Sequence, residues 1–277
     1  LAKIDPKKSL GQNFLTDKNI AGKIVSSLSA GEGDTIMEIG PGPGALTAGL
    51  AELPAKLAAV EIDIRACNEL NARFPKDKYP NVDIIHADFM DFDIAGYVGK
   101  NGVQGRVKIV GNLPYYISSR ILYKVIENAG YFEKAVFMVQ KEVADRLASR
   151  PGNKSFGILT VAVNYAGTIR KLFDVPPQCF FPRPKVTSTV FELSFKKDLN
   201  TSIFPELMEI VKAAFNQRRK KLRNALSGYC QEKHGGSIDS LAVEDNGKAA
   251  AYFEKRAEQL SWEDYYYLWE LMCKQKR

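Results

Sequence analysis

The sequence predicts an α/β fold, with a doubly wound, Rossmann-like domain over residues 1–197 and a small all-α C-terminal domain over residues 198–277. Three observations lead there. From residue 34 short apolar runs alternate with stretches of helical spacing, a glycine-rich turn joins the first such pair, and the strand signal stops after Lys197. Alternation of this kind builds a parallel sheet covered by helices on both faces.

Residues 35–39 form the first apolar strand and end in Gly40-Pro41-Gly42-Pro43-Gly44, with a helix over 45–53 that Pro54 closes. Residues 57–60 and 64–74 give the second strand and its helix, 82–86 the third strand, and 107–110 the fourth. Residues 118–128 carry Ile121, Leu122, Val125 and Ile126 at helical spacing, and 135–139 and 142–148 repeat the strand and helix pattern. Two more strands, 169–175 and 189–195, are joined by the proline-rich segment 176–184. Beyond residue 204 the pattern is helical, with a Gly/Ser-containing loop near 234–240. Ligands of doubly wound sheets sit outside the carboxyl ends of the strands, so function is sought there.

Composition narrows the chemistry. The chain of 277 residues is 45% hydrophobic and 26% charged, which is ordinary for a globular protein. It holds no run of roughly 20 apolar residues that a membrane span needs, and residues 1–8 lack the apolar core of a secretory signal. Cys67, Cys179, Cys230 and Cys273 form no C-x-x-C pair, so neither a metal site nor a disulfide framework is expected, and reduced thiols in a cytoplasmic protein are. With only His86 and His234, chemistry built on a histidine base or several histidine ligands is nearly excluded. Lys and Arg outnumber Asp and Glu by 39 to 32, a modest excess that suits a polyanionic partner without requiring one.

The loop Glu38-Ile39-Gly40-Pro41-Gly42-Pro43-Gly44 lets a ligand approach the backbone at a helix N-terminus. Alone it leaves NAD, FAD and S-adenosylmethionine open. Its spacing is G-x-G-x-G rather than the G-x-G-x-x-G of pyrophosphate loops. Glu61 ends the second strand roughly 20 residues on, where an acid accepts hydrogen bonds from ribose hydroxyls, with Asp63 a second candidate. Asp88 follows the third strand, placed for an adenine amino group. Each acid is equally well explained as a helix cap or a solvated loop carboxylate; together, at three strand ends, they favour a ligand containing adenosine.

Asn112-Leu113-Pro114-Tyr115 after the fourth strand is the most informative motif. The exocyclic amine of a purine is a poor nucleophile because its lone pair is delocalised into the ring. An Asn side-chain oxygen and a backbone carbonyl that accept both N–H bonds draw the nitrogen toward tetrahedral character and aim its lone pair at a methyl sulfonium. Pro114 holds Leu113 extended, so that its carbonyl points inward. Tyr115 offers a ring on which a splayed-out base stacks, worth roughly 1–3 kcal/mol. No general base is required, since the alkylated amine loses its proton to water.

These motifs, together with Gly11-Gln12-Asn13-Phe14-Leu15, Tyr116-Ile117-Ser118, Val139-Gln140-Lys141-Glu142-Val143 and Phe180-Phe181-Pro182-Arg183-Pro184-Lys185-Val186, resemble the ribosomal small-subunit RNA adenine N6,N6-dimethyltransferase family (KsgA/RsmA) over essentially the whole chain. The resemblance implies a class I methyltransferase domain with a helical C-terminal domain that binds RNA or the subunit. It implies S-adenosyl-L-methionine as cofactor and 16S rRNA, in the small (30S) subunit or its precursor, as partner. Two adjacent adenosines near the 3′ end would each receive two methyl groups. Asn13 and Leu15 would close over the cofactor, with Gly40, Gly42, Gly44, Glu61, Asp88 and Asn112 lining its pocket. Phe180 would sandwich the target base opposite Tyr115.

The cluster Arg218, Arg219, Lys220, Lys221 and Arg223 reads as a phosphate-contacting surface, with Lys7 and Lys8 as possible additions, against the commoner reading of a solvated helix face. Tyr265, Tyr266, Tyr267 and Trp269 are either a base-stacking stripe or, more commonly at this spacing, the core of a helical domain. Two rival functions share the motifs: a large-subunit (23S) rRNA adenine methyltransferase of the macrolide-resistance type, and a non-catalytic ribosome-assembly factor. A cytoplasmic monomer with no membrane partner is the default expectation.

Overall fold

A computed structural model of the chain describes residues 4–7, 10–103, 105–244 and 247–274. It divides into two compact units, Leu1–Ala144 with Gly167–Leu199, and Asp145–Ala166 with Asn200–Arg277. The division expected at 197/198 did not foresee that residues 145–166, lying between two strands of the sheet, are grouped with the helical unit.

The first unit is built on a seven-stranded sheet. In chain order its strands are β2 (Thr35–Ile39), β3 (Lys56–Glu61), β4 (Val82–His86), β5 (Val107–Asn112), β6 (Phe132–Gln140), β7 (Gly167–Val175) and β9 (Ser188–Phe195), with spatial order β4-β3-β2-β5-β6-β9-β7. Pairs among β2 to β6 are parallel, whereas β9 is antiparallel to both β6 and β7 between which it lies. The sheet is therefore mixed, parallel through β2 to β6 as the alternation predicts and antiparallel at β9. No crossover helix separates β7 from β9, and without one the chain returns in the opposite sense. A separate two-stranded ribbon pairs β1 (Phe14–Leu15) with β8 (Phe180–Phe181), in the register Phe14↔Phe181 and Leu15↔Phe180.

The central strands β2, β3 and β5 are buried almost throughout, which is why they read as unbroken apolar runs. The helix Ser118–Glu127 turns Ile121, Leu122, Val125 and Ile126 inward, as their spacing predicts. The helix expected over 45–53 is only the short turn Thr47–Leu50. The helix Lys18–Ser27, not foreseen, is capped by Asp17, whose carboxylate accepts from the Asn19 and Ile20 N–H groups, and buries Ala21, Ile24 and Val25.

In the second unit the helices Ile158–Ala166, Phe204–Asn216 and Trp262–Lys274 pack on one another. Tyr165 stacks on Phe204 at 5.8 Å and meets Trp262 edge-on. Tyr265 is fully buried and donates to the Ala257 carbonyl at 2.9 Å, while Trp269 donates to Glu206. Tyr266 packs on Trp262 and Trp269, and Tyr267 on Tyr252, so the aromatic stripe is packing for this unit. No helix among the described residues is long and apolar enough to cross a membrane.

One buried charge in the first unit is held by its partner. Lys108 Nζ, on β5, donates to Asp34 Oδ2 at 2.7 Å and to the Ser29 carbonyl at 3.0 Å; its side chain is 8% exposed against 26% for Asp34. Removing the acid strands the more deeply buried partner. We expect Asp34→Ala to cost about 3 kcal/mol in urea denaturation and Lys108→Met clearly less, because Asp34 keeps contact with water; the reverse order would contradict this account.

Candidate active site

The strand order turns back at β2: the chain proceeds from β2 outward to β3 and β4, then resumes on β2's other side with β5. At such a switch point the loops leaving adjacent strands diverge and open a crevice. Here the crevice is a cavity open on one side. It is bounded by the ends of β2, β3, β4 and β5 and covered by the segment 10–15.

Its floor holds two carboxyl groups. Glu61 is 3% exposed; one oxygen accepts from the Gly42 N–H at 2.9 Å and the other from the Asp63 N–H at 2.8 Å. That carboxylate thus ties the loop after β2 to the turn after β3. Burial raises its pKa, against the two backbone hydrogen bonds. Glu38, 1% exposed, accepts from the Thr47 hydroxyl at 2.7 Å; burial first, then the charge of Glu61, pushes its pKa up to about 8. Asp63 faces away to other duties, since Arg65 binds both of its oxygens and Lys7 one of them. The Arg65 side chain holds its carboxyl down at about 2. Of the two acids considered for the ribose, only Glu61 lines the cavity.

Asp88 lines the cavity beside Phe89, in a turn where its Oδ1 accepts from the Met90 N–H. Lys124 fastens that turn by donating to the Met90 and Phe92 carbonyls at 2.7 and 2.8 Å. Across the cavity Asn112 ends β5, and its Nδ2 donates to the Asn13 carbonyl at 2.9 Å. A carbonyl only accepts, so the orientation of the amide is fixed, and Oδ1 has no protein partner among the described residues. Tyr115 lines the cavity and shares a 2.6 Å hydrogen bond with the Ser188 hydroxyl; burial raises its pKa.

Asn13, Leu15, Gly40, Gly42, Glu61, Asp88, Asn112, Leu113, Pro114 and Tyr115 all line this one cavity. Two residues do not. Gly44 adopts φ +81°, and a Cβ there would stand 2.7 Å from Leu70; it serves the close packing of the helix Ile64–Arg73 rather than the cavity. Phe180, expected beside the target base, is 4% exposed and packs in the core with Leu15, Val175 and Val190. Its pairing with Leu15 puts both on the inner face of the ribbon, and the alternation of a strand leaves Phe181 outside, 61% exposed. Sequence reasoning assigned no role to Glu38, Gln12, Tyr116 or Phe89, all of which line the cavity. Glu38 carried a signal, as a lone acid inside an apolar strand.

The basic cluster, in the second unit, is largely engaged. Arg218 binds Glu258 and the Lys154 carbonyl, Lys221 binds Glu254, and Arg223 reaches Glu254 and Asp239. Arg219 and Lys220 are exposed and have no partner among the described residues. Lys8 lies outside the described residues. No metal-ligating cluster occurs among the described residues.

The family model described as ribosomal RNA adenine dimethylase matches residues 4–263. A ribosomal RNA small subunit methyltransferase A from Desulforapulum autotrophicum is 38% identical over 265 residues, 94% of this chain and 89% of the relative. The protein of that name from Syntrophus aciditrophicus is 40% identical over 93% of this chain and 91% of its own length. The crystal structure of a dimethyladenosine transferase from Plasmodium falciparum superposes with a TM-score of 0.80 at 24% identity, covering 95% of this chain and 98% of that one. The 23S rRNA methyltransferase ErmE superposes with a TM-score of 0.62 at 22% identity, covering 94% and 100%. At these identities the two structural likenesses speak to the fold alone.

The buried Glu38 makes stability depend on pH. The folded chain keeps its proton up to about 8, whereas the unfolded chain loses it near 4.5, so the native state binds more protons in that window and stability falls as pH rises through it. Glu38→Gln keeps an acceptor for Thr47 and removes the titration. Its melting temperature should exceed that of the native chain by a few degrees at pH 8 and by little at pH 5. An equal offset at both pH values would show that Glu38 does not titrate in this range.

Proposed function

The chain belongs to the ribosomal RNA adenine dimethylase family, and from that premise we propose that it is an S-adenosylmethionine-dependent enzyme that dimethylates N6 of adenine in small-subunit ribosomal RNA. In finer terms, the substrate is 16S rRNA in the 30S subunit or its precursor, modified at two adjacent adenosines near the 3′ end. The observation that carries the chemistry is the Asn112 amide, fixed by the Asn13 carbonyl with Oδ1 left to accept from a ligand at the cavity wall.

The cavity fits the cofactor. Each Glu61 oxygen accepts one backbone N–H and retains a lone pair for a ribose hydroxyl, and Asp88 stands at the next strand end for an adenine amine. When bound, S-adenosylmethionine supplies an electrophilic methyl group on a positively charged sulfur. The chain's own residues position the nucleophile. Asn112 Oδ1 accepts one N–H of the target amine. The Leu113 carbonyl, which accepts from no N–H among the described loop contacts, is assigned as the second acceptor. Tyr115 stacks on the base, its ring held by Ser188. The methylated nitrogen is strongly acidic and gives its proton to water, so orientation carries the rate.

The second unit takes the role of RNA or subunit binding, and the exposed Arg219 and Lys220 are its best phosphate contacts. The described cysteines, Cys67, Cys179 and Cys230, are buried free thiols, which suits a protein working in the reducing cytoplasm. A part in small-subunit biogenesis accords with the names of the relatives.

Transfer of labelled methyl from S-adenosylmethionine to unmodified small subunits, large subunits and duplex DNA tests this reading. Dimethyladenosine should form in small-subunit RNA, and Asn112→Ala should slow it about 100-fold. Label in large-subunit RNA would move the chain to the macrolide-resistance type; no transfer despite cofactor binding would leave an assembly factor.

A further inference from the structure

The loop 181–187 joins β8 to β9 and is fixed at both ends to residues that line the cavity. At its start Phe181 is in register with Phe14 of the covering segment, and the Cys179 carbonyl just before it accepts from both the N–H and the hydroxyl of Thr16, at 2.8 and 3.0 Å. At its end the Thr187 carbonyl accepts from the Lys141 N–H, and Ser188 is hydrogen-bonded to Tyr115. The loop does not itself line the cavity, but it is anchored beside it through Phe14 and Tyr115, which do.

It displays an exposed ring and two exposed cations side by side. Phe181 is 61% exposed and Val186 44%. Arg183 and Lys185 are exposed and make no hydrogen bond or ion pair among the described residues. Cations nearby behave differently: Lys141 is paired with Asp174, and Lys134 and Arg170 with Glu192. No acid occurs between residues 176 and 191 to neutralise the loop. Pro182 and Pro184 flank Arg183 and restrict its backbone, so the two cations and the ring are presented with little conformational freedom to lose on binding. An exposed ring beside two unpaired cations is the combination that holds a single-stranded nucleic acid, by base stacking and phosphate contact.

We propose that this loop is an RNA-binding lip on the catalytic unit: Arg183 and Lys185 contact phosphates of the strand next to the target adenosine, and Phe181 stacks on a neighbouring base. The assignment rests on the methyltransferase reading above. An adenine cannot enter the cavity from within a stacked helix, and a strand held unstacked beside the cavity lowers the cost of bringing it in. It also separates two tasks: RNA or subunit binding by the helical unit, and local threading of the strand by the lip.

The test is the affinity of the full chain for a short single-stranded RNA with two adjacent adenosines, and for unmodified small subunits, measured over a range of salt. Each phosphate contact on a single strand contributes about 0.7 to the slope of log K against log salt. Arg183→Ala with Lys185→Ala should lower that slope by about 1.4, raise KM for RNA, and leave the affinity for S-adenosylhomocysteine unchanged. Phe181→Leu keeps apolar bulk but not stacking and should weaken binding roughly tenfold, with Phe181→Trp restoring it. An unchanged slope and KM in the double variant, with cofactor affinity and melting temperature retained, would overturn the proposal. Equal binding by Phe181→Leu and the native chain would remove Phe181 from it. These binding readouts stand apart from catalysis: a native chain that binds RNA with this salt dependence but transfers no methyl would defeat the methyltransferase reading and not the lip.

Discussion

The reversal of strand order at β2 is the constraint on which the site depends. Because β2 lies between β3 and β5, the loops leaving these strands are neighbours in space although residues 40, 61 and 112 are far apart in sequence. Glu61 then makes the neighbourhood rigid, for its carboxylate spans the loop after β2 and the turn after β3 through two backbone N–H groups. Burying that carboxyl costs free energy that the two hydrogen bonds offset. The same requirement for a buried, tied acid keeps water from competing for its remaining lone pairs.

Most of the site was legible because its residues end strands. Glu61, Asp88 and Asn112 each follow an apolar run that stops abruptly, and a parallel sheet gathers such ends on one edge. The acids' division of labour was not legible. Asp63, two residues from Glu61, was a close second candidate, and the Arg65 and Lys7 side chains drawn to it set its different duty. Phe180 and Phe181 posed a sharper problem. Two adjacent rings on one strand take opposite faces, and which is inside depends on the partner strand. That partner is the two-residue β1, too short for any periodicity to reveal.

The rest of the fold divides in the same way. The helix Ile158–Ala166 is buried nearly all round and rich in β-branched residues, so no polar face betrays its period. The antiparallel sense of β9 depends on where β7 and β9 sit in the sheet, a nonlocal fact. In the helical unit the basic run read as one surface, yet Arg218, Lys221 and Arg223 answer to acids brought in from residues 239–258. Charge in a sequence is local, whereas its neutralisation is a property of the packed chain.

The amide of Asn112 is anchored by a main-chain oxygen of residue 13, not by the side chain there. Every amino acid carries that oxygen. The aim of the amide is thus insulated from point mutation at position 13 and sensitive instead to the path of the covering segment. A substitution at 13 leaves that oxygen in place, while any change that shifts the segment as a whole moves the amide's anchor.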